Sequence, residues 1–482
     1  MQLKQTSFKM LQNIKKIQLD DFIFYFLSIL LFTIFLMPYR EYIPMNIVIS
    51  NTSGGTKYLN DIISANKNLF FERYTLLFYG TSFSLFLILI NKKILQGIIL
   101  RFLSLNKTNI ISIILFFIFG FISACFAISP SIAFKGVGFT LAMLILSIFI
   151  ANYIQQKPEK IKYLFIIVLL SIIFYGGMLF LQLSLSNFSI YGQTVAGNIQ
   201  KVLLFTYNTL NPRFLDNYFS WFVPFLLLPW IMNYRPILKI GAFLALSIIW
   251  FVIINHTFRT IFLEYIIIFI FLAIFDRKLL AKIFILIILS LLVGALINLG
   301  IHELVLVQEN KSVTTLFRDG DSGRFLIWRE AFRIGLEHPL TGIGQWNYIA
   351  VTKTSETYPH NLFLEIWSQW GIPAFICFII IIGYSIRFTL INLKDLLTHK
   401  PYNIFLFMLI AGMIDGMLNA MFKTSLGLFG AIFVFGLFMS SYKVKEECKS
   451  ISLYQISILR IIISITIFSI VIIPLIWKPL WV

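Results

Sequence analysis

A chain of 482 residues in which 59% are hydrophobic and 12% charged is far more apolar than a soluble globular protein, whose charged fraction is about 25%. This composition excludes a soluble fold and indicates an integral membrane protein. The net charge of +18 is spread over short segments between apolar runs, so it reports membrane orientation and argues against nucleic-acid binding.

Apolar runs that can cross a bilayer as helices recur along the whole chain, since about 17 to 25 residues suffice for one crossing. Thirteen candidate runs are residues 22–38, 74–90, 109–128, 136–153, 163–183, 217–232, 239–255, 260–275, 283–299, 371–391, 403–421, 425–441 and 461–477. The sequence therefore predicts an all-α, polytopic membrane helix bundle of about 12 to 13 transmembrane helices.

The first run follows a basic segment and resembles a signal peptide only in part. The first Ala of the chain is Ala65, so no small-residue cleavage site follows this run, and we expect it to remain as a helix. The cysteines, Cys125, Cys377 and Cys448, stand far apart and predict neither a disulfide framework nor a metal site.

Lysine and arginine counts orient the chain. If the N-terminus is cytoplasmic, more than half of the basic residues fall on the cytoplasmic segments, as membrane proteins require. We predict an N-terminal transmembrane bundle over residues 1–299, a periplasmic catalytic loop with amphipathic helices over residues 300–370, and C-terminal transmembrane helices over residues 371–482. The basic outer surface of such a protein in the bacterial inner membrane suits an anionic partner such as a lipid-linked diphosphate.

The polar loop contains its own helical pattern. Apolar residues at steps of three and four predict an amphipathic helix over residues 324–337: Phe325, Trp328, Phe332 and Leu336. Asp321 or Ser322 can cap its start, and Pro339 ends it. Such a helix is expected to lie along the membrane surface or over the bundle, and the glycines that follow Pro339 turn the chain.

Helical spacing resumes after Pro359, over residues 361–370. His360 is therefore expected at or just before the first turn of a helix that leads into the tenth run. The partial positive charge of a helix N-terminus favours a neutral imidazole, which can accept a proton.

Four cations are expected to converge with His360 on one outward cavity. Arg213 and Arg259 each precede an apolar run directly, Lys135 follows a Ser-Pro-Ser segment, and Arg324 begins the loop helix. Ionisable residues at membrane depth are costly and usually functional. This set suits displacement of a diphosphate from a sugar by a hydroxyl group, with arginines stabilising the leaving group and His360 as base. The scheme requires no metal ion or cofactor.

Each of these residues also has a plainer interpretation. Arginines at helix ends are more often interface anchors than catalytic groups, which applies to Arg213 and Arg259. Asp415 and Asn419, inside the eleventh run, are either functional or form a hydrogen bond between helices.

The loop resembles the C-terminal signature of the O-antigen ligase and polymerase superfamily. The matching residues are Ser322-Gly323-Arg324 with Trp328, Glu337-His338-Pro339-Leu340-Thr341-Gly342-Ile343-Gly344, and His360-Asn361 with Leu364 and Gly371. The resemblance implies a metal-independent glycosyltransferase with the membrane-embedded GT-C fold, which takes glycan from undecaprenyl diphosphate on the periplasmic side.

The same resemblance assigns roles to single residues. The essential loop histidine of the family corresponds to His360, and its arginine near the start of a middle span corresponds to Arg259, although Thr260 stands where the family usually has Gly. A second family arginine corresponds to Arg213, followed by Asn217 and Pro224: the resemblance is looser there. Arg324 carries over with the loop helix as a substrate-binding or structural residue.

The first hypothesis is a ligase that transfers polysaccharide to lipid A-core, with membrane lipids as its surroundings. The alternative on the same scaffold is a polymerase or a protein O-glycosylating enzyme, because the signature reports the donor more than the acceptor. A transporter of lipid-linked glycan is the alternative of another class. Transporters tend to place polar residues near the midplane in broken helices, whereas here charge gathers at the outer ends of runs and in one loop.

Overall fold

The computed structural model describes residues 18–36, 73–186, 214–256, 260–306, 323–354, 358–419, 421–442 and 452–473, and the regular elements within these ranges are all helical. Eight helices of the described ranges are long and apolar enough to cross a membrane, and a ninth crossing results if one bent pair forms a single span. Three shorter apolar helices accompany them. The predicted all-helical, multi-pass membrane fold is therefore confirmed.

The helices before the polar loop are α1 (Leu19–Leu36), α2 (Arg73–Ile90), α3 (Lys92–Leu103), α4 (Lys107–Cys125), α5 (Pro130–Gln156), α6 (Ile161–Ser186), α7 (Phe214–Phe222), α8 (Leu228–Ile231), α9 (Pro236–His256), α10 (Thr260–Phe275) and α11 (Arg277–Leu306). Those of the loop and beyond are α12 (Arg324–Glu337), α13 (Tyr348–Val351), α14 (Leu362–Ile391), α15 (Leu393–Thr398), α16 (Tyr402–Leu418), α17 (Ser425–Met439) and α18 (Leu453–Ile467). Short 3₁₀ turns precede α6 and α8, and a π-helical turn continues α18.

The membrane-crossing helices are fewer than the thirteen predicted runs, for local reasons. The run over residues 217–232 is broken into α7, a 3₁₀ turn that begins at Pro224, and α8, which contains Pro229. Proline lacks the backbone N–H and clashes with the preceding turn, so an α-helix does not continue through it. The runs that became α10, α16 and α17 form helices of 16, 17 and 15 residues.

The core of the bundle lies around α5, which is the most enclosed of the candidate spans. It packs against α4 on one side and α17 on another, while α10 packs against α16 and α9 against α11. Outer helices expose large apolar side chains, for example Leu292 and Leu296 of α11. Apolar surface on this scale, on helices long enough to span, is the surface that lipid covers.

The loop helix α12 has the range that its periodicity predicts, Arg324–Glu337, and packs against α14. Its buried face is formed by Ile327, Ala331 and Ile334, whereas Phe325 and Leu336 are exposed. The apolar stripe that identifies the helix in the sequence is therefore only partly covered, since Phe332 packs against Trp367 of α14 while Phe325 and Leu336 are exposed. The predicted caps, Asp321 and Ser322, lie outside the described residues.

The predicted boundary between loop and C-terminal bundle falls inside one helix. Residues 362–370 and 371–391 are continuous in α14, which has a non-helical backbone at Gly371. The segment after His360 therefore connects mechanically to a membrane-spanning helix.

Candidate active site

The last turn of α16 is the point at which several predicted site segments meet. Asn419, the C-terminal cap of α16, donates its Nδ2 to Asp216 Oδ2 at 3.5 Å, to Thr260 Oγ1 at 3.3 Å and to Asp415 Oδ1. Thr260 Oγ1 also donates to Asp216 Oδ2 at 3.0 Å. Asn419 thus joins the starts of α7 and α10 to the end of α16. It forms hydrogen bonds between helices, as one of the two interpretations of this residue predicts.

These contacts involve the chain neighbours of two predicted cations. Asp216 lies three residues after Arg213, and Thr260 directly follows Arg259. Arg213 and Arg259 themselves lie outside the described residues, so their predicted roles stay predictions. Thr260, which stands where the resemblance expects Gly, uses its hydroxyl in the network.

Arg324 reaches the same network from the loop. It is the first residue of α12 after Gly323, which has a left-handed backbone with φ of 76°. Arg324 Nη2 donates to Asn419 Oδ1 at 3.0 Å. The guanidinium therefore lies above the end of α16 and beside the buried carboxylate of Asp415, with which it interacts electrostatically.

His360 lies immediately before α14, as the sequence predicts. Asn361 caps that helix, because its Oδ1 accepts from the N–H groups of Phe363 and Leu364 at 3.1 and 3.2 Å. Its Nδ2 donates to the carbonyl oxygen of Met417 at 3.3 Å, which attaches the His360 turn to the last turn of α16. The imidazole itself packs against the ring of Tyr358, with 4.3 Å between the ring centroids.

The turn at Gly342 and Gly344 is held by carbonyl groups that the kink in α14 releases. Pro373 has no N–H to donate to Gln369, and the N–H of Ile372 bonds to Pro339 instead of to Ser368. The freed carbonyls of Ser368 and Gln369 accept from the N–H groups of Ile343 and Gly344 at 3.1 and 2.9 Å. The signature segment after α12 is thereby fixed to the helix that follows His360.

A second contact fixes α12 to the end of the loop. Glu330 pairs with Arg333 at 2.7 Å and also accepts from the backbone N–H of Lys353 at 2.8 Å. The hydrogen bonds from Arg333 lower the pKa of the Glu330 carboxyl, although its partial burial acts in the opposite sense. Glu330 is therefore ionised at neutral pH and holds α12 near α13.

Lys135 is placed against a different set of side chains. Its Nζ lies 4.2 Å from the ring centroid of Phe78, and the Phe78 ring is 5.9 Å from the ring of Trp346. Trp346 in turn packs near Lys423, whose Nζ is 5.6 Å from its ring. The structure thus brings Arg324 and the His360 turn to one helix end, and Lys135 to an aromatic group on the α5 side.

Sequence reasoning missed two buried polar groups. Glu264 of α10 is buried and accepts from Ser220 Oγ of α7 at 2.7 Å. Lys423, in the turn between α16 and α17, is buried and interacts with Glu365 of α14. Burial lowers the pKa of the Lys423 amine, and the Glu365 carboxylate opposes this effect. The available signal was a charged residue inside or directly beside an apolar run, which is costly unless it has a partner.

Comparison with known families adds to this geometry. A family model described as O-Antigen ligase matches residues 239–379, a range that includes α10, α12, His360 and the kink of α14. No curated protein matches the chain.

Proposed function

We propose that the protein moves a polysaccharide from undecaprenyl diphosphate to lipid A-core at the periplasmic face of the bacterial inner membrane, because a family model described as O-Antigen ligase matches residues 239–379. Members of this family are ligases and polymerases that transfer lipid-linked glycans. One observation supports the proposal most directly: Arg324 and the His360 turn both bind the last turn of α16.

In the proposed reaction, the hydroxyl oxygen of the acceptor forms a bond to the anomeric carbon of the donor glycan. The bond between that carbon and the diphosphate oxygen breaks, and undecaprenyl diphosphate leaves with the electron pair. His360 takes the hydroxyl proton, a role that typically contributes about a hundred- to ten-thousand-fold in rate. Its site directly before the cap of α14 supports this assignment.

Cationic side chains stabilise the leaving diphosphate in this proposal. Guanidinium groups form two parallel hydrogen bonds with phosphate oxygens and stay charged in a low dielectric. We assign this role to Arg259, with Arg213 and Arg324 binding the substrate and Lys135 as a further binding residue. The hydrogen bond from Arg324 to Asn419 supports the substrate-binding role of Arg324, since it places a guanidinium group at the end of α16. Charge stabilisation in this scheme comes from side chains and uses no metal ion.

The test is glycan transfer by the full-length protein in liposomes that contain undecaprenyl diphosphate-linked glycan. Three acceptors are supplied in parallel: lipid A-core, the donor alone, and an acceptor protein. His360→Ala is expected to lower the rate of transfer to lipid A-core by about a hundredfold or more. His338→Ala is the matched control, because this exposed histidine also lies in the loop, at the end of α12.

Transfer to lipid A-core alone, and only with His360 present, supports the ligase. Chain growth on the donor supports a polymerase, and transfer to the protein acceptor supports O-glycosylation. An active His360→Ala variant contradicts the assigned base. The transporter is supported if the protein transfers glycan to none of the acceptors and if cells that lack the protein no longer move glycan across the membrane.

A further inference from the structure

Four residues cluster next to the first turn of α14 and are linked by hydrogen bonds, an aromatic ring and an electrostatic interaction. Lys423 interacts electrostatically with Glu365, and Gln369 Nε2 donates to Glu365 Oε1 at 3.4 Å. The backbone N–H of Trp346 donates to Gln369 Oε1 at 2.5 Å, and the ring of Trp346 lies 5.6 Å from Lys423 Nζ. We call this set, Lys423, Glu365, Gln369 and Trp346, the lysine ring.

Three members of the lysine ring are buried in the protein, and Glu365 is half-buried. Lys423 is 3% exposed, and Gln369 and Trp346 are also buried. The charge of a lysine ammonium buried to this extent acts strongly on the residues around it. Where two opposite charges interact in a low-dielectric environment, removing one leaves the other without compensation, which is far more disruptive than removing both.

One end of the lysine ring connects to His360 within a single helical turn. The N–H of Glu365 donates to the carbonyl oxygen of Asn361 at 2.8 Å, and Asn361 is the cap that directly follows His360. His360 has a positive φ of 53°, a conformation that a non-glycine residue adopts only when its surroundings hold it there. The His360 turn is therefore joined directly to the helical turn that carries Glu365.

The other end of the ring connects to the polar network at α7. Thr424, the neighbour of Lys423, accepts from Asn217 Nδ2 at 2.7 Å and caps α17 by accepting from the N–H of Gly427 at 3.1 Å. The turn that carries Lys423 is thus fixed on both sides. It offers a rigid anchor against which the first turn of α14 can be held.

We propose that Lys423 is a positioning residue, which holds the His360 turn in its reactive orientation through Glu365. The proposal rests on the proposed role of His360 as base. Lys423 contributes no bond to the substrate and exchanges no proton with it. Its effect is on rate, because a catalytic group displaced by about 1 Å can lose about a hundredfold in activity.

The test compares steady-state transfer by the full-length protein in liposomes across four variants: Lys423→Met, Lys423→Arg, Glu365→Gln, and the double variant Lys423→Met/Glu365→Gln. Lys423→Met is expected to lower kcat about ten- to a hundredfold while the KM for the lipid-linked donor stays within about twofold. Lys423→Arg, which keeps the charge, is expected to retain most of kcat. The double variant is expected to be more active than Lys423→Met, because it leaves no uncompensated charge.

A second readout does not depend on activity. It is the nuclear magnetic resonance spectrum of protein labelled with ¹⁵N-histidine. The chain contains five histidines, and the His360 resonance is identified as the one that His360→Gln removes. We expect Lys423→Met to shift or broaden that resonance and Lys423→Arg to leave it near its native position. Lys394→Met, an exposed lysine of α15, is the matched control and should change neither kcat nor the spectrum.

Several outcomes overturn the positioning role. These are equal losses for Lys423→Met and Lys423→Arg, a double variant whose loss is the product of the single losses, or a loss of rate with an unchanged His360 resonance. If Lys423→Met does not fold, the Lys423→Arg and double variants are compared with the native protein. A large loss of kcat in both contradicts the positioning role. If native protein transfers no glycan but Lys423→Met still shifts the His360 resonance, the proposed function is wrong, whereas the influence of Lys423 on the His360 turn is supported.

Discussion

A single backbone position, Gly371, determines how α14 meets the signature segment of the loop. Its φ of 82° and ψ of 172° lie in a region that is essentially restricted to glycine. A Cβ atom there would also overlap the carbonyl group of Leu340. We expect Gly371→Ala to destabilise the protein by about 1–3 kcal/mol or more from backbone strain alone. The measurement is the midpoint of thermal unfolding of the purified protein in detergent.

Gly383 provides the control in the same helix. A Cβ atom at Gly383 meets no heavy atom within 4 Å, and its backbone is helical. Alanine is favoured over glycine in a helix interior by roughly 0.5–1 kcal/mol, so Gly383→Ala should be neutral or slightly stabilising. Equal midpoints for the two variants would show that the break at Gly371 is not required by the fold.

At the scale of elements, local periodicity located helices but not their partners. The spacing of apolar residues predicts α12 over residues 324–337, and a continuous apolar run predicts α10 over residues 260–275; both helices have these bounds. Periodicity also reports an apolar stripe without saying what covers it, and the stripe of α12 is only partly covered, with Phe325 and Leu336 exposed. The helix broken at Pro224 was read as a span because its composition is apolar throughout.

The candidate site shows the same division between local and distant information. The place of His360 directly before a helix follows from Pro359 and the spacing after it, which are local signals. The approach of Arg324 to Asn419, and of Lys423 to Glu365, joins residues far apart in sequence. Composition and spacing do not encode such pairings, so the sequence could suggest that the cations converge but not that Arg324 contacts the end of α16.

The attachment of α12 to α16 gives a prediction at this scale. Arg324 and Asn419 are joined by one charge-assisted hydrogen bond, so Arg324→Ala and Asn419→Ala should not be additive. In a double-mutant cycle on kcat/KM we expect a coupling energy of about 0.5–3 kcal/mol, the range for residues in direct contact. Arg329, which is exposed on the same helix, provides the control pair.

The control decides what the coupling means. Arg329→Ala combined with Asn419→Ala should be additive within about 0.3–0.5 kcal/mol, as expected for independent sites. If the Arg324 pair is equally additive, α12 does not act on the end of α16 through this hydrogen bond. If both pairs are coupled, the change at Asn419 alters the whole loop.

At the scale of the whole molecule, the length of α14 predicts which residues lie on opposite faces of the membrane. The part of α14 after the break at Gly371, residues 372–391, has 20 residues and is therefore about 30 Å long, about the thickness of the hydrocarbon core. We therefore expect the two ends of α14, at Asn361 and Asn392, to emerge on opposite sides. His360 and the loop that contains α12 are then on one side, and α15 with Lys394 is on the other.

The excess of Lys and Arg on cytoplasmic segments predicts which side is which. In a background without the native cysteines, Lys353→Cys should react with a membrane-impermeant maleimide in intact cells whose outer membrane has been permeabilised. Lys394→Cys should react only after the inner membrane is also opened. Both positions are exposed, so accessibility within the protein does not distinguish them. The reverse pattern would place His360 on the cytoplasmic face, where transfer to an outer-membrane lipid core cannot take place.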